Sequence, residues 1–256
     1  MYYLDFLGAL HKALRPPTYL EIGIRHGDSM KLARTPRAVG IDPAFNLKVK
    51  LSDRVKLFRE TSDEYFARPE PLKPFKGQRI GFAFIDGMHL SEFVLRDFAN
   101  VERFSAWTTV VVFDDILPRS ALEAARDRRT RAWTGDVFKA LDVLAARRPE
   151  LICLRVDTEP TGLGVVLGLE PGSTVLRDGY DELVAGLVAP DPQVVPASIL
   201  ERAGAVDPAA LLQSSLWRRL RELRGSRAAR EPGVRELRRT LSRELGAEPA
   251  RAAVPV

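Results

Sequence analysis

The chain has 256 residues, of which 45% are hydrophobic and 29% are charged, and it carries a formal net charge of +5. This length and composition are those of a globular protein with one substantial core and room for an appendage. The single cysteine, Cys153, excludes an intramolecular disulfide, and the apolar run around it predicts a core residue in a reducing compartment. We therefore expect the protein in the cytoplasm.

The net positive charge of the chain comes from its C-terminal part. Residues 218–244 contain ten arginines and four glutamates, a net charge of +6, so the remaining residues carry −1. Neither an aromatic-studded basic sheet nor a zinc-binding pattern accompanies these arginines, which argues against a nucleic-acid-binding protein. At the other end, Leu4, Leu7 and Leu14 recur at roughly helical spacing among charged residues. Residues 1–15 are therefore predicted to form a covering helix, and neither a signal peptide nor a membrane anchor.

Apolar runs alternate with helical stretches along the first two thirds of the chain. The predicted strands are residues 19–24, 38–42, 55–59, 80–86, 108–114, 151–157 and 163–169, and the predicted helices between them are residues 29–33, 62–68, 91–104 and 136–147. This alternation predicts an α/β fold with a doubly wound, mostly parallel seven-stranded sheet. The last two strands are too close in sequence for a crossover helix, so we expect an antiparallel hairpin at the sheet edge.

The sequence changes character near residue 170. Prolines become frequent, and Arg-rich helical segments with apolar stripes follow, one of them at Leu216, Leu220 and Leu223. We therefore divide the chain into a cofactor-binding domain at residues 1–170 and a helical extension at residues 171–256. The extension is expected to pack on the body, on another subunit, or on neither, and homo-oligomerisation through its helices is one of these alternatives.

A glycine loop follows the first strand. Residues 21–27 read EIGIRHG, and the second strand ends at Asp42. Glycines let a ligand approach the backbone, and an acid about 20 residues further on is suited to accept the hydroxyls of a ribose. The G-x-x-x-G spacing, with Arg25 between the glycines, differs from the G-x-G-x-x-G of dinucleotide sites and suits a cofactor such as S-adenosylmethionine, which has no pyrophosphate. A tight turn between any strand and helix explains the glycines about equally well.

Acidic residues end the fourth and fifth strands. Asp86 closes one apolar run, and Asp114 and Asp115 close the next. Because the carboxyl ends of neighbouring strands meet at one crevice, these carboxylates are expected to converge and to bind a hard divalent cation, Mg²⁺ or Mn²⁺. His89, three residues after Asp86, is a candidate general base. The alternatives are that the acids cap the following segments and that the histidine is structural.

Together these motifs resemble class I S-adenosylmethionine-dependent methyltransferases. Within that class they are most similar to the metal-dependent sugar O-methyltransferases of the macrocin and mycinamicin type. The resemblance covers about residues 18–169 and rests on five motifs: YLEIG at 19–23, TSDE at 61–64, IDGMH at 85–89, FDD at 113–115 and WTGDV at 133–137. It implies a Rossmann-like fold whose terminal strand is antiparallel.

The resemblance also implies roles for individual residues. The cofactor-binding set that it implies is Glu21, Gly23, Ile24, Gly27, Asp42, Ser62 and Asp86, with Glu21, Gly23 and Gly27 around the methionine end, Asp42 on the ribose and Ser62 beside the adenine. The implied metal ligands are Asp86, Asp114 and Asp115. His89 is expected to remove the proton of the acceptor, so that His89 and Asp86 are the catalytic residues. Arg25 departs from the glycine-rich pattern of the class, which leaves the exact cofactor contacts open.

Two of these motifs have structural readings as well. TSDE is a capping box, so Ser62 at the start of a helix and Ser62 in contact with the adenine are equally supported interpretations. Trp133 to Val137 fits a helix start capped by Thr134 or Asp136. Residues 116–132, which are rich in arginine, form either a lid over the acceptor or a solvated charged loop.

The function predicted from these observations is metal-dependent O-methylation of a hydroxyl on a sugar, a glycoside or another small-molecule diol. One alternative is a metal-independent small-molecule methyltransferase in which His89 alone acts as base. A second is a catalytically inactive assembly protein that recruits an acidic partner through its basic C-terminal extension.

Overall fold

The computed structural model describes residues 1–226 and 228–246. Residue 227 and residues 247–256 belong to the predicted C-terminal extension and lie outside the described part of the chain. The boundary near residue 170 stays a prediction.

All seven predicted strands are present and form one sheet. The strands are β1 Tyr19–Ile22, β2 Ala38–Ile41, β3 Val55–Phe58, β4 Ile80–Ile85, β5 Ser105–Phe113, β6 Ile152–Val156 and β7 Leu163–Leu167. Their order is β3-β2-β1-β4-β5-β7-β6. The pairs from β3 to β5 are parallel, whereas β7 is antiparallel to both β5 and β6. The predicted hairpin at the sheet edge is therefore confirmed, with β7 inserted between β5 and the edge strand β6.

The strand order reverses direction between β1 and β4. From β1 the chain proceeds outward to β2 and β3, and from β4 it proceeds the other way to β5. In open α/β sheets such a switch point leaves a crevice beyond the carboxyl ends of the two strands, because the loops leave in opposite directions. Every residue of β1 and of β4 is buried, so the crevice lies above the centre of the core.

Ten α-helices are described, and they cover both faces of the sheet. They are α1 Tyr3–Leu14, α2 Ser62–Phe66, α3 Ser91–Arg103, α4 Lys139–Arg147, α5 Val175–Asp178, α6 Tyr180–Leu187, α7 Ala197–Leu200, α8 Pro208–Gln213, α9 Leu216–Gly225 and α10 Arg230–Leu245. Helices α2 to α7 contribute to the apolar cluster on one face, and α1 with α8 to α10 contribute to the cluster on the other. None of the described helices combines the length and the apolar character needed to cross a bilayer.

Two predicted helices differ from the expected ones. The segment predicted as helix 29–33 forms only a short 3₁₀ helix, Met30–Leu32. Helix α4 begins at Lys139 rather than at residue 136, and neither Thr134 nor Asp136 caps it. The reason is tertiary: both side chains are fully buried, the Thr134 hydroxyl donates to the Glu123 carbonyl at 2.9 Å, and Asp136 bonds to groups described below.

The C-terminal helices are part of the core. Leu216, Trp217, Leu220 and Leu237 are at most 1% exposed and belong to the same apolar cluster as the strands. Helix α9 contacts α1, α10 and β5. The apolar stripes read from the sequence therefore pack on the body of this chain.

The arginines of these helices bond largely within the chain. Arg224 donates to the carbonyl of Leu14 at 3.0 Å and Arg230 to that of Gly168 at 2.7 Å. Arg221 donates to the carbonyl of Ala13, and Arg238 to that of Leu151 at 2.8 Å. Arg219 forms two hydrogen bonds with Glu236 on α10. These arginines are therefore bound within the chain. Recruitment of an acidic partner through the extension would require such charges to be available on the surface.

Truncation of one apolar residue on α10 tests this integration. Leu237→Ala is expected to lower the free energy of unfolding by about 2 to 5 kcal/mol, because a fully buried leucine leaves a cavity. The measurement is urea unfolding followed by circular dichroism. Leu200→Ala, at a position that is 38% exposed, is the matched control and should cost much less. Equal losses for the two variants would contradict a core position for α10.

Candidate functional site

Three neighbouring strands bring the candidate residues to one edge of the sheet. The backbone ladder continues past the strand ends: the Asp86 amide donates to the carbonyl of Ile22 at 2.8 Å, and the Asp114 amide to that of Ile85 at 3.1 Å. Gly23 has a φ of +88°, and a Cβ built on it would lie 1.8 Å from the carbonyl oxygen of Asp86. Only glycine therefore allows the end of β1 to approach the end of β4 this closely.

His89 lies between two carboxylates. Its Nε2 is 3.2 Å from Oδ1 of Asp86, and its Nδ1 is 2.8 Å from Oδ2 of Asp115. One ligand atom from each of the three residues lies within 4.8 Å of the other two. The side chains of Asp86, His89 and Asp115 remain 26%, 24% and 12% exposed, so a solute can reach the group from the crevice.

The electrostatics of the group favour a positive charge at its centre. Burial alone would lower the pKa of His89, but hydrogen bonds to Asp115 and Asp86, together with their charges, raise it from 6.5 to about 11. Burial raises the pKa of Asp86, against the opposing influence of His89. His89 is therefore an imidazolium at neutral pH in this arrangement, and it neutralises part of the charge of its neighbours.

Asp114 lies beside this group rather than within it. Its Oδ1 accepts the amide of Asp115 at 2.9 Å, and its side chain is nearly buried. Burial, and then the charges of Asp115 and Asp86, raise the pKa of Asp114 well above its usual range. The sequence placed Asp114 among the metal ligands, and that role stays a prediction. The geometry brings His89 into the position that was expected of a third carboxylate.

Two aromatic residues complete the surroundings. The Trp133 ring stacks on the His89 ring with centroids 5.1 Å apart and planes 5° apart, and the Trp133 carbonyl lies 3.0 Å from Nδ1 of His89. Tyr3, at the start of α1, has its hydroxyl pKa raised by burial and then by the charges of Asp114 and Asp86. Sequence reasoning did not place Tyr3 at the site, since nothing in the first residues signals proximity to strands that begin 77 or more positions later.

The backbone of His89 is also fixed. Its φ is +56°, a conformation that few residues other than glycine adopt. A Cβ on Gly135 would lie 1.7 Å from the His89 carbonyl oxygen, so a glycine is needed where the segment after the lid crosses the histidine. His89 is thus held from the side of β4 and from the side of α4.

Residues 116–132, predicted as either a lid or a solvated loop and called the lid segment, are anchored at two points. The Leu117 amide donates to the carbonyl of Thr161 in the β6–β7 turn. Arg126 forms ion pairs with Glu92 on α3 at 2.6 Å and with the fully buried Asp136 at 2.7 Å. Asp136 also accepts the amide of Ser91 at 2.8 Å and so caps α3, directly after His89. Of the five lid arginines, Arg119, Arg126 and Arg129 form ion pairs with glutamate or aspartate. The partner of Arg129 is the exposed Asp127, and the arginines at 128, 129 and 131 are themselves exposed.

Asp42 organises the glycine loop. Its Oδ2 accepts the amides of Ile24 and Arg25, each at 2.8 Å, and its Oδ1 accepts the amide of Ala44 at 2.6 Å. A carboxylate has about four lone-pair sites, so one remains on Oδ1 for a ligand hydroxyl. Gly27, with a φ of +87°, closes the loop by donating to the Ile24 carbonyl at 2.8 Å. The ribose contact predicted for Asp42 thus fits the unused site, and stays a prediction.

Glu21 is fully buried. Its two oxygens accept hydrogen bonds from the hydroxyls of Tyr19 at 2.6 Å and Ser29 at 2.5 Å. Burial raises the pKa of Glu21 to about 8, although both hydrogen bonds oppose the shift. Glu21 therefore connects β1, through Tyr19, to the segment after the glycine loop, through Ser29. Its predicted contact with the cofactor stays a prediction.

Ser62 has a structural role that the sequence left open. Thr61 is the N-cap of α2 and forms a complete capping box with Glu64. Ser62 follows as the first helical residue, and its hydroxyl donates to Asp97 on α3 at 2.5 Å. Burial raises the pKa of Asp97 to about 7, against the effect of that hydrogen bond. The Ser62–Asp97 pair joins α2 to α3, and the adenine contact stays a prediction.

The residues present fit a divalent cation. Two carboxylates and an imidazole are a donor set that suits first-row divalent ions, and the carboxylates suit Mg²⁺ and Mn²⁺ as well. The imidazolium of His89 already occupies the place of a positive charge between Asp86 and Asp115. A cation would satisfy the same electrostatic requirement.

Comparison with known proteins identifies the domain. Residues 20–116, less than half of the chain, match a family model described as a methyltransferase domain. The match spans the glycine loop, Asp42 and the group around His89. Residues 20–116 are therefore similar to a methyltransferase domain. The protein is an enzyme that transfers methyl groups from S-adenosylmethionine, and its strand order with the inserted antiparallel β7 is the class I methyltransferase fold. No curated protein matches the chain significantly.

Several solved methyltransferase structures are similar at low sequence identity. An O-methyltransferase from Bacillus cereus in complex with SAH is 16% identical, with 64% of this chain and 80% of that chain covered and a TM-score of 0.47. The O-methyltransferase TomG from Streptomyces achromogenes, involved in tomaymycin synthesis, is 18% identical over 64% and 78%, with a TM-score of 0.45. A putative caffeoyl-CoA O-methyltransferase from Staphylococcus aureus is 14% identical over 64% and 81%, with a TM-score of 0.47. Such values are too low to indicate a shared substrate.

The contact between Gly23 and Asp86 in the methyltransferase domain generates a prediction. Gly23→Ala should lower the melting temperature, and it should weaken the affinity for S-adenosylmethionine at least about tenfold. The reason is that the added Cβ forces the ends of β1 and β4 apart and moves Asp86. Calorimetry with S-adenosylmethionine and a thermal melt measure the two effects.

Gly77→Ala is the matched control for this substitution. Gly77 has a φ of +76°, and a Cβ there meets nothing within 4 Å, so this variant carries only the backbone cost of about 1 to 2 kcal/mol. Cofactor affinity should be unchanged in Gly77→Ala. Identical losses of stability and affinity in both variants would show that the contact with Asp86 is unimportant.

Proposed function

We propose that the enzyme methylates a hydroxyl oxygen of a sugar, a glycoside or another small-molecule diol, with a divalent cation bound beside the cofactor. The observation that carries the proposal is the group formed by Asp86, His89 and Asp115, whose ligand atoms lie within 4.8 Å of one another at the carboxyl ends of β4 and β5. S-adenosylmethionine supplies the methyl group as an electrophilic sulfonium.

The chain's own residues would hold the cation. Asp86 and Asp115 offer oxygens that are reachable from the crevice, and Asp114 stands next to them as a further carboxylate. The cation, Mg²⁺ or Mn²⁺, would offset the negative charge of these carboxylates and lower the pKa of a hydroxyl bound beside it. Three acids around one crevice support this proposal, since uncompensated like charges repel one another.

The hydrogen bonds of His89 indicate which nitrogen would handle a proton. The Trp133 carbonyl can only accept, and it lies 3.0 Å from Nδ1, so Nδ1 carries a hydrogen. A cation that compensates the charges of Asp86 and Asp115 would remove the cause of the raised pKa of His89, so that the ring could be neutral. In the neutral ring Nε2 is then the basic atom, and it faces Asp86 rather than Asp115. Nε2 is therefore the atom that would receive the hydroxyl proton of the acceptor. Stacking on Trp133 keeps the ring in this orientation.

The surroundings support a polar acceptor. The exposed lid arginines at 128, 129 and 131 face solvent without a buried partner, whereas Arg126 fixes the lid to α3. Vicinal hydroxyls of a sugar or another diol can chelate a cation through two oxygens. These two features favour a polyhydroxylated acceptor.

A metal-free methyltransferase is the second candidate. The 2.8 Å contact between His89 and Asp115 is the arrangement of a base oriented by a carboxylate, which functions without a metal in many enzymes. In that case His89 alone accepts the proton, and because its pKa is raised to about 11 without a cation, this candidate requires alkaline pH for His89 to be neutral. The two candidates differ in their response to chelators and agree in their requirement for His89.

Removing one carboxylate charge tests the cation site. Asp115→Asn should reduce turnover at least about 100-fold, since loss of outer partners of metal ligands alone costs 10 to 100-fold. It should also weaken Mn²⁺ binding measured by electron paramagnetic resonance, while affinity for S-adenosylmethionine stays within about twofold, because Asp42 and the glycine loop are untouched.

The control is Asp127→Asn, which removes a lid carboxylate that is 85% exposed. This variant should match the unaltered enzyme in turnover and in Mn²⁺ affinity. Unchanged Mn²⁺ binding in Asp115→Asn would remove Asp115 from the proposed cation site.

Chelation separates the two candidates directly. We expect activity on a sugar or glycoside acceptor to fall at least about tenfold in EDTA and to return when Mg²⁺ or Mn²⁺ is added in excess, because the carboxylates then regain their counter-charge. Methyl transfer from labelled S-adenosylmethionine is the measurement. Full activity in the chelator would establish the metal-free candidate in place of the metal-dependent one.

A further inference from the structure

A second concave surface lies away from the crevice. It is a groove of about 1150 Å³ between α1 and the segments that lead into β2 and β3, lined there by residues 31–36, Ser52 and Arg54. These segments precede the amino ends of their strands, whereas the group around His89 follows the carboxyl ends. The groove therefore cannot be part of the methyl-transfer site.

Four exposed cations line the groove. Lys12 comes from the last turn of α1, Lys31 and Arg34 from the segment before β2, and Arg54 from the residue before β3. Within residues 1–226 and 228–246, no carboxylate lies within 4.0 Å of their charged groups and none of those groups forms a hydrogen bond. By contrast, Arg126 and Arg148, elsewhere in the chain, are bound to two acids each.

The charge of the groove is unbalanced. Asp5 is the one acid among its lining residues, so the lining carries four positive charges against one negative. Like charges around a shared concavity reinforce one another's field and attract counter-ions of opposite sign. The effect of this charge is seen at His11, which lies buried on α1. Burial first, and then the charge of Arg34, lower the pKa of His11 to about 3.

The floor of the groove is apolar and partly smooth. Leu4 and Leu32 contribute aliphatic surface to the groove. Gly8 and Ala9 of α1 also line it, with small side chains or none. A Cβ on Gly8 would meet Leu32 at 3.8 Å, so the glycine leaves the groove open along the helix. Concave sites that bind small molecules combine such an apolar lining with a few polar groups that fix orientation.

We propose that this groove, the basic groove, binds a small amphipathic anion that carries about two negative charges, of the class of organic phosphates with an apolar substituent. The phosphate contacts Lys31, Arg34 and Arg54, since arginine forks and lysine ammonium groups both suit phosphate oxygens. The apolar substituent lies along Leu4 and Leu32. An acidic protein segment or a second copy of the chain would meet the same charges, and both are outcomes of the test below.

The experiment measures binding of hexyl phosphate, inorganic phosphate and hexanol to the full chain at pH 7.5 by isothermal titration calorimetry. We expect saturable binding of hexyl phosphate and at least about tenfold weaker binding of inorganic phosphate, because only the hexyl chain buries apolar surface in the groove. Hexanol should not bind. Affinity for hexyl phosphate should also fall with added salt. Equal affinities for the two phosphates would overturn the amphipathic class of ligand.

Substitutions locate the site. Lys31→Ala/Arg34→Ala should weaken the binding of hexyl phosphate about tenfold, because two exposed cations that contact the phosphate are removed. Arg147→Ala, at an exposed arginine of α4 without an ion pair in the described chain, should leave the affinity unchanged. Lys31→Gln/Arg34→Gln, with a thermal melt, verifies that a loss reflects charge rather than unfolding.

Several results would overturn the proposal. One is the absence of saturable binding by hexyl phosphate, and another is unchanged affinity in the Lys31→Ala/Arg34→Ala variant. A third is a dimer in sedimentation velocity that the same substitutions dissociate, since the groove would then hold a second copy of the chain. Binding of a poly-glutamate peptide in preference to hexyl phosphate would assign the groove to an acidic protein segment.

Discussion

The structure of the site depends on keeping several carboxylates close together at the carboxyl ends of two buried strands. Asp86 and Asp115 approach each other because β4 and β5 are adjacent, and nothing in the sheet separates them. Such a group is stable only with positive charge between its members, and His89 supplies it as an imidazolium. The backbone details follow from this requirement: a glycine at 23 lets β1 approach β4, and a left-handed conformation at His89 turns its ring toward both acids.

The lid is the second support of the same group. Asp136, fully buried, joins Arg126 of the lid, Lys139 of α4 and the first amide of α3. Because α3 begins directly after His89, this one carboxylate connects the position of the lid to the position of the histidine. Residues 116–132 can therefore influence the chemistry of His89 through Arg126 and Asp136, and their role as a lid stays a prediction.

Much of the fold and part of the site were predictable from the sequence. The seven strands follow from apolar runs, and the hairpin follows from the short connection between β6 and β7, because both are local properties of the chain. The convergence of Asp86, His89 and Asp115 was also accessible, since strand ends meet at one edge of a sheet. The stacking of Trp133, the proximity of Tyr3 and the capping of α3 by Asp136 were not accessible, because they join residues 44 or more positions apart in directions that only tertiary packing sets. Asp42 shows the same limit: the sequence indicates a ligand for it and does not indicate that the loop backbone occupies most of its lone pairs.

Net charge alone gives a misleading picture of where this protein meets anions. The C-terminal helices hold most of the excess arginine, yet Arg224, Arg230 and Arg238 donate to backbone carbonyls and help fasten α9 and α10 to the body. The part of the chain with almost no net charge contains Arg34 and Arg54, which have no partner within the described residues. Attraction for an anion depends on cations that are both exposed and unpaired, and on a concave surface that concentrates their field. By that criterion the basic groove beside α1, rather than the arginine-rich extension, is where an anionic ligand has most to gain.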